Sequence, residues 1–213
     1  MVRVKVKICG ITQAEDAWMA VEAGADALGF MFYESSPRLL SFSKAAEIIR
    51  VLPPFVAKVG VFVDPSEESV RQAIAECGLD TLQFHGQESP EFCRQFTLKV
   101  IKAFRIRDAT SLDETRRYAS ETWLLDSYVA GKPGGTGEVF NWELARTAVQ
   151  KGGRVILAGG LTAGNVGAAV RQVQPFAVDV SSGVESAPGK KDPAKVRAFI
   201  QAAQLAAQGQ ARD

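Results

Sequence analysis

What most constrains this chain is a repeated alternation between two hydrophobic periods. Eight short runs read as strands, each followed by a run that reads as a helix, in a unit recurring about every 25 residues. The first run, at 4–9, alternates Val4, Val6 and Ile8 with Lys5, Lys7 and Cys9, the period of two expected of a strand with two unlike faces. Gly10 breaks it, and Thr12, three residues before Glu15, is expected to cap the helix over 13–23 through a capping box. Further strands are expected at 27–32, 57–63, 79–84, 99–104, 122–126, 154–158 and 176–180. Ser43 is expected to open the second helix, and 111–119 to form the helix after the fifth strand. Strict βα alternation implies parallel strands joined by right-handed crossovers. An open doubly wound sheet obeys the same rule, but it usually carries GxGxxG after its first strand, where this chain has CGITQ. Eight regular units in 213 residues fit a closed (β/α)8 TIM barrel better, a compact one beside the typical ~250 residues. One α/β domain is expected over 1–213, with about 205–213 as a frayed C-terminal tail.

Composition narrows the partners. Hydrophobic residues make up 46% and charged residues 23%, ordinary values for a soluble globular protein. A formal net charge of +1 without a basic block gives no reason to expect nucleic acid or an anionic membrane surface. No apolar run nears the ~18 residues of a membrane span, and the N-terminus lacks the apolar core of a signal peptide. The three cysteines, at 9, 77 and 93, form no CxxC pair and suit a reducing compartment, so a cytoplasmic location is expected. His85 is the only histidine, which excludes a metal site built on several imidazoles; neither metal nor cofactor is expected.

In a parallel barrel the functional groups gather at the C-terminal ends of the strands. Those ends read Cys9, the Ser36-Pro37-Arg38 loop, Asp64, His85, Arg105, Asp126, Gly159-Gly160, and Asp179 followed by Ser181-Ser182-Gly183. If Trp123, Leu125, Val178 and Val180 pack outward against helices, Asp126 and Asp179 turn into the barrel mouth with Cys9. Taken alone, Cys9 reads as a small buried hydrophobe. Two carboxylates converging on the same rim favour catalysis, because an interior carboxylate without donors is costly. Lys7 shares the face of Cys9, and an ammonium there could depress the thiol pKa. Gln83 and His85 lie on the same rim without an assigned step.

The turns after the seventh and eighth strands, AGGLT and VSSGVE, are rich in glycine. Barrels commonly bind phosphate at these positions through backbone N–H groups and a helix N-terminus. Gly159, Gly160, Ser181, Ser182 and Gly183 are therefore candidates for a phosphate site. The GKPGGTG loop at 131–137 lacks the GK[ST] ending of a Walker A motif and reads as a lid or a flexible connection.

With these residues in place, the chain resembles the phosphoribosylanthranilate isomerases of tryptophan biosynthesis. The resemblance rests on KICGIT at 7–12, GF(x)FxxxSPR at 29–38, VGVFVD at 59–64, QFHG at 83–86, LLDS at 124–127, GGTG at 134–137, LAGGL at 157–161 and VDVSSGVE at 178–185. Asn141, where the family often has Asp, and Leu39-Leu40 after Arg38 are small departures. The resemblance implies an Amadori rearrangement of N-(5-phosphoribosyl)anthranilate, with Asp126 as general acid and Cys9 as general base. It further implies Arg38 on the anthranilate carboxylate, Asp179 on ribose hydroxyls, and Lys7, Gln83 and His85 lining the substrate site. A sugar-phosphate barrel of another kind, such as a pentose-phosphate epimerase or a thiamine-phosphate synthase, would share the glycine turns; such an epimerase calls for metal ligands that usually include several histidines. A non-catalytic phosphate-binding relative would lack Cys9 or Asp126. The sequence leaves oligomeric state open, with a homodimer as the assembly to test.

Overall fold

In a computed structural model all eight expected strands pair in parallel and close into one barrel in chain order. They are β1 (Lys5–Cys9), β2 (Ala27–Met31), β3 (Ala57–Phe62), β4 (Thr81–Phe84), β5 (Lys99–Ile106), β6 (Thr122–Ser127), β7 (Arg154–Leu157) and β8 (Ala177–Val180). The structure describes residues 3–106, 108–118, 122–127 and 142–209. The 131–137 loop and Asn141 lie outside the described residues. The outer ring holds α1 (Ala14–Glu22), α2 (Phe42–Arg50), α3 (Glu67–Cys77), α4 (Pro90–Arg94), α5 (Trp142–Gln150), α6 (Val166–Val173) and α7 (Pro193–Gly209). Closure falls to β1, which sets Cys9 opposite Gly29 of β2 and Lys7 opposite Asp179 of β8.

The period of two sorts residues into two cores. Val6, Ile8, Leu125, Val178 and Val180 face the helices, whereas Cys9, Val61, Ala103, Leu124 and Ile156 fill the barrel. Between strands and helices, Phe32, Phe62, Phe84 and Phe92 form a row with successive ring centroids 5.2, 6.0 and 5.4 Å apart. Phe62 and Phe84 are fully buried, and each contributes roughly 1.5–3 kcal/mol to the layer between barrel and helices.

Local chemistry corrects several expectations. Thr12 does not cap α1: the N-cap is Gln13, with no side-chain bond, and the Thr12 hydroxyl donates to the Gly189 carbonyl at 2.5 Å. Ser41 rather than Ser43 caps α2, because its extended backbone lets Oγ accept from the Lys44 N–H at 3.2 Å. The segment after β5 is a 3-10 helix, Thr110–Arg117, opened by an Asp108 carboxylate that accepts from the Ser111 N–H at 2.9 Å. After β8 the chain makes a 3-10 turn, Ser182–Val184, and a hairpin of β9 (Glu185–Ala187) and β10 (Lys190–Lys191) that the sequence reading did not anticipate. The frayed tail expected over about 205–213 is corrected up to Gly209, where α7 continues with Ala206 and Ala207 buried against the barrel; 210–213 lie outside the described residues. No helix among the described residues is long and apolar enough to cross a membrane.

Candidate active site

One wall of the mouth comes from β1 and β8. Lys7 Nζ donates to Asp179 Oδ1 at 2.9 Å, and both side chains are nearly fully buried. Burial alone would lower the Lys7 pKa, but the Asp179 carboxylate and Cys9 outweigh it and hold the ammonium above the usual lysine range. Cys9 lies beside this pair and is itself buried. Here the sequence expectation is corrected. Burial pushes the thiol above its ordinary value; Lys7 pulls it down, yet cannot fully offset desolvation and the Asp179 charge. Gly29 makes room for the pair, since a Cβ there would lie 2.6 Å from Cys9 Sγ and 3.2 Å from Lys7 Nζ.

The opposite wall is built on β4 and β6. His85 Nε2 lies 3.3 Å from Asp126 Oδ2, with both side chains partly open to the mouth. Behind the imidazole, Gln83 Nε2 stands 3.2 Å from Nδ1, while Gln83 Oε1 is buried with no partner among the described residues. With the amide donating, the imidazole proton sits on Nε2, facing Asp126. Turning the amide over would let Oε1 accept from Nδ1–H, as a doubly protonated ring requires. The turn that carries His85 is held by a buried ion pair. Lys102 Nζ reaches Glu88 Oε2 at 3.2 Å and the Gly86 carbonyl at 2.8 Å, and Glu88 accepts from the N–H groups of Asp64 and Gly86 at 2.8 and 3.0 Å.

The third region is the pair of glycine turns. Gly159 and Gly160 adopt φ of +88° and +61°, the left-handed region that glycine enters without steric cost. Asn165 fixes this turn, donating to the Gly160 carbonyl at 3.0 Å and accepting from the Thr162 N–H at 2.8 Å, just before α6 begins. Gly183 of the neighbouring turn packs so closely on the Leu161 carbonyl that no side chain fits. The turns after β7 and β8 thus lie against each other, in contact through Gly183 and the Leu161 carbonyl.

Arg38 lies on the β1 side of the mouth, where its guanidinium bonds Glu185, Nε to Oε1 at 2.8 Å and Nη2 to Oε2 at 2.5 Å. Lys191, buried, donates to the same Oε1 at 2.7 Å and to the Cys9 carbonyl at 2.6 Å. Sequence reasoning missed Glu185 and Lys191. Their only signal was a Glu ending the DVSSGVE run and a paired lysine six residues later. The structure brings Lys7, Cys9, Asp179, Arg38 and Ser181 to one side of the mouth, and Gln83, His85 and Asp126 to the other. A thiol beside an ammonium, a carboxylate in contact with an imidazole, and a glycine-rich turn can respectively take a proton, give a proton and hold an oxyanion.

Comparison with known proteins identifies the family. The family model for N-(5'-phosphoribosyl)anthranilate (PRA) isomerase matches residues 6–202. The N-(5'-phosphoribosyl)anthranilate isomerase of Trichlorobacter lovleyi is 56% identical over 203 residues, covering 95% of this chain and 99% of its own. A solved phosphoribosyl anthranilate isomerase in complex with reduced 1-(o-carboxyphenylamino)-1-deoxyribulose 5-phosphate superposes with a TM-score of 0.86 at 40% identity, over 95% of this chain and 99% of that one. A structure of monomers generated from the dimeric Thermotoga maritima enzyme gives a TM-score of 0.86 at 39% identity, with 95% and 99% covered. On fold and sequence alike, the chain belongs to the phosphoribosylanthranilate isomerase family.

Proposed function

We infer that the chain is an aldose–ketose isomerase of tryptophan biosynthesis, converting N-(5-phosphoribosyl)anthranilate into 1-(2-carboxyphenylamino)-1-deoxy-D-ribulose 5-phosphate. Asp126 gives a proton to the furanose ring oxygen as the C1–O bond breaks, leaving an imine at C1. Cys9, as thiolate, takes the proton from C2; the electron pair moves into the C1–C2 bond as the C1=N π pair returns to nitrogen, and the enolamine takes a proton at C1 to become the C2 ketone. His85, 3.3 Å from Asp126, is placed to exchange a proton with it, and Gln83 holds the ring. Asp179, kept in place by Lys7, faces the sugar hydroxyls; the phosphate belongs on the turns of Gly159, Gly160, Ser181, Ser182 and Gly183. Arg38 takes the aryl carboxylate. The observation that carries this reading is the placing of a base candidate and an acid candidate on opposing walls of one mouth. The test follows phosphoribosylanthranilate fluorescence with and without the protein. A decay no faster than the spontaneous one overturns it.

Two finer readings accompany it. A homodimer is supported by Phe55, which is 98% exposed on the α2–β3 loop beside a cavity of about 890 Å³ at the far, N-terminal mouth, where Phe176 is also half exposed. The Thermotoga maritima relative is likewise described as dimeric. Sedimentation of the wild type and of Phe55→Asp tests this; a wild type that is monomeric at micromolar concentration sinks it. A cytoplasmic location is supported by three cysteines that are all free and buried.

A further inference from the structure

The Arg38–Glu185–Lys191 cluster has a charge arithmetic that its individual bonds do not reveal. Lys191 Nζ uses its three hydrogens on Glu185 Oε1, the Cys9 carbonyl and, at 3.3 Å, the Ser181 carbonyl. That ammonium therefore rivets Glu185 to the C-terminal ends of β1 and β8. Glu185 in turn occupies the side-on edge of the guanidinium, through Nε and Nη2. The stem of Arg38 lies across Gly10, where a Cβ would collide with Cδ, so the arm is pinned directly over the residue after Cys9. What remains is the end-on edge, Nη1 with the second hydrogen of Nη2, which has no partner among the described residues. Two cations share one carboxylate, which leaves a surplus of one positive charge beside the catalytic thiol.

We propose that Glu185, held by Lys191, is a positioning residue for substrate recognition: it locks the Arg38 guanidinium so that its end-on edge receives the aryl carboxylate. The proposal rests on reading Arg38 as the carboxylate holder. One surplus charge matches one carboxylate, so the ligand completes the cluster instead of displacing Glu185. Preorganising a long, flexible arginine spares its ordering cost on binding. The opposing possibility is that Glu185 competes with the ligand for Arg38, and the two predict opposite signs. Replacing Glu185 by glutamine should alter geometry more than charge. Burial already lowers the Lys191 pKa, and losing its counter-ion would lower it further, which works against any gain in local charge.

The experiment compares three ligands by calorimetry: the reduced product analogue, the same compound lacking its carboxylate, and inorganic phosphate. Wild type should favour the carboxylate-bearing ligand over its truncated partner. In Glu185→Gln that preference should shrink by about tenfold or more, as for loss of a supporting group behind a charge pair, while the other two affinities stay within about twofold. KM should rise more than kcat falls. Glu185→Asp, which keeps the charge but withdraws it by one methylene, should give an intermediate preference, and it carries the comparison should the glutamine variant fail to fold. Tighter binding of the carboxylate ligand by Glu185→Gln, equal weakening of all three ligands, or an unchanged preference each overturns the proposal. Arg38→Ala serves as control. If it leaves the preference intact, the reading of Arg38 itself fails; if it abolishes the preference while both Glu185 variants keep it, only the positioning role fails.

Discussion

Lys7 and Asp179 are register partners across the seam where β1 meets β8, and their side chains meet at 2.9 Å inside the barrel. One ion pair thus sits on the seam that closes the barrel and, after burial, acts on the electrostatics of Cys9. Because burial raises the thiol pKa, the thiolate is the minor form near neutrality, and its fraction climbs with pH through and beyond the ordinary thiol value. For the wild type, kcat/KM should therefore rise across the weakly alkaline range. Lys7→Met removes the ammonium that pulls the thiol down, so the rise should move to higher pH, costing about tenfold in rate at fixed pH for each unit of displacement. Leaving Asp179 buried without its partner should also destabilise the fold, by roughly 3–5 kcal/mol. Thermal unfolding and a pH–rate profile separate the two effects. A variant that loses stability but keeps the wild-type profile would show that Lys7 is structural only.

Cys9→Ala and Asp126→Asn should both fold, since neither side chain supplies a bond on which the barrel depends. Each removes one proton-transfer group, which is worth roughly 10²–10⁴ in rate. The product analogue should still bind within a few-fold. Steady-state kinetics with calorimetry decides: unchanged kcat in either variant removes that residue from the chemistry, and lost affinity at unchanged kcat makes it a binding group.

The sequence made the barrel legible because β/α alternation is a local signal, written within each 25-residue or so unit. It also made the inward turn of Cys9, Asp126 and Asp179 legible, since alternation along one strand is enough to set it. What stayed hidden was whatever depends on chain ends meeting. Arg38 and Glu185 are 147 positions apart, Lys191 and the Cys9 carbonyl 182, and Thr12 and Gly189 177. No local pattern encodes such pairs. The sign of the Cys9 shift failed for a related reason. The neighbouring Lys7 can be read from spacing, but the opposing desolvation exists only once all eight strands enclose the thiol.

Gly183→Ala probes the phosphate turns. The added methyl would strike the Leu161 carbonyl, which is backbone and has no rotamer by which to escape, so the turns after β7 and β8 must separate. Phosphate affinity should fall by at least about tenfold, with a fold destabilised by about 1–3 kcal/mol, the usual cost of overpacking. Gly160→Ala meets open space and is disfavoured only by its φ of +61°, so it should be milder in both respects. Equal phosphate affinity in Gly183→Ala and wild type would place the anion site elsewhere.

Gly29→Ala tests whether the thiol works from the position that the structure gives it. A Cβ at residue 29 would lie 2.6 Å from Cys9 Sγ and 3.1 Å from Cys9 Cα. The backbone cannot yield, because β1 and β2 pair in register here and the Gly29 carbonyl accepts from the N–H groups of Gly10 and Ile11 at 2.9 and 3.0 Å. The strain must therefore fall on the thiol, which swings off its site. We expect kcat to drop into the range of Cys9→Ala, while the remote phosphate turns keep their affinity. A double-mutant cycle makes the expectation sharper. In a Cys9→Ala background no Sγ remains to be displaced, so adding Gly29→Ala should cost little further activity and less stability than it does alone. Measuring kcat and Tm for the wild type, the two single variants and the double variant completes the cycle. If Gly29→Ala retains the wild-type kcat, or if the two substitutions multiply as independent sites would, the close packing of Gly29 on Cys9 does not govern the base.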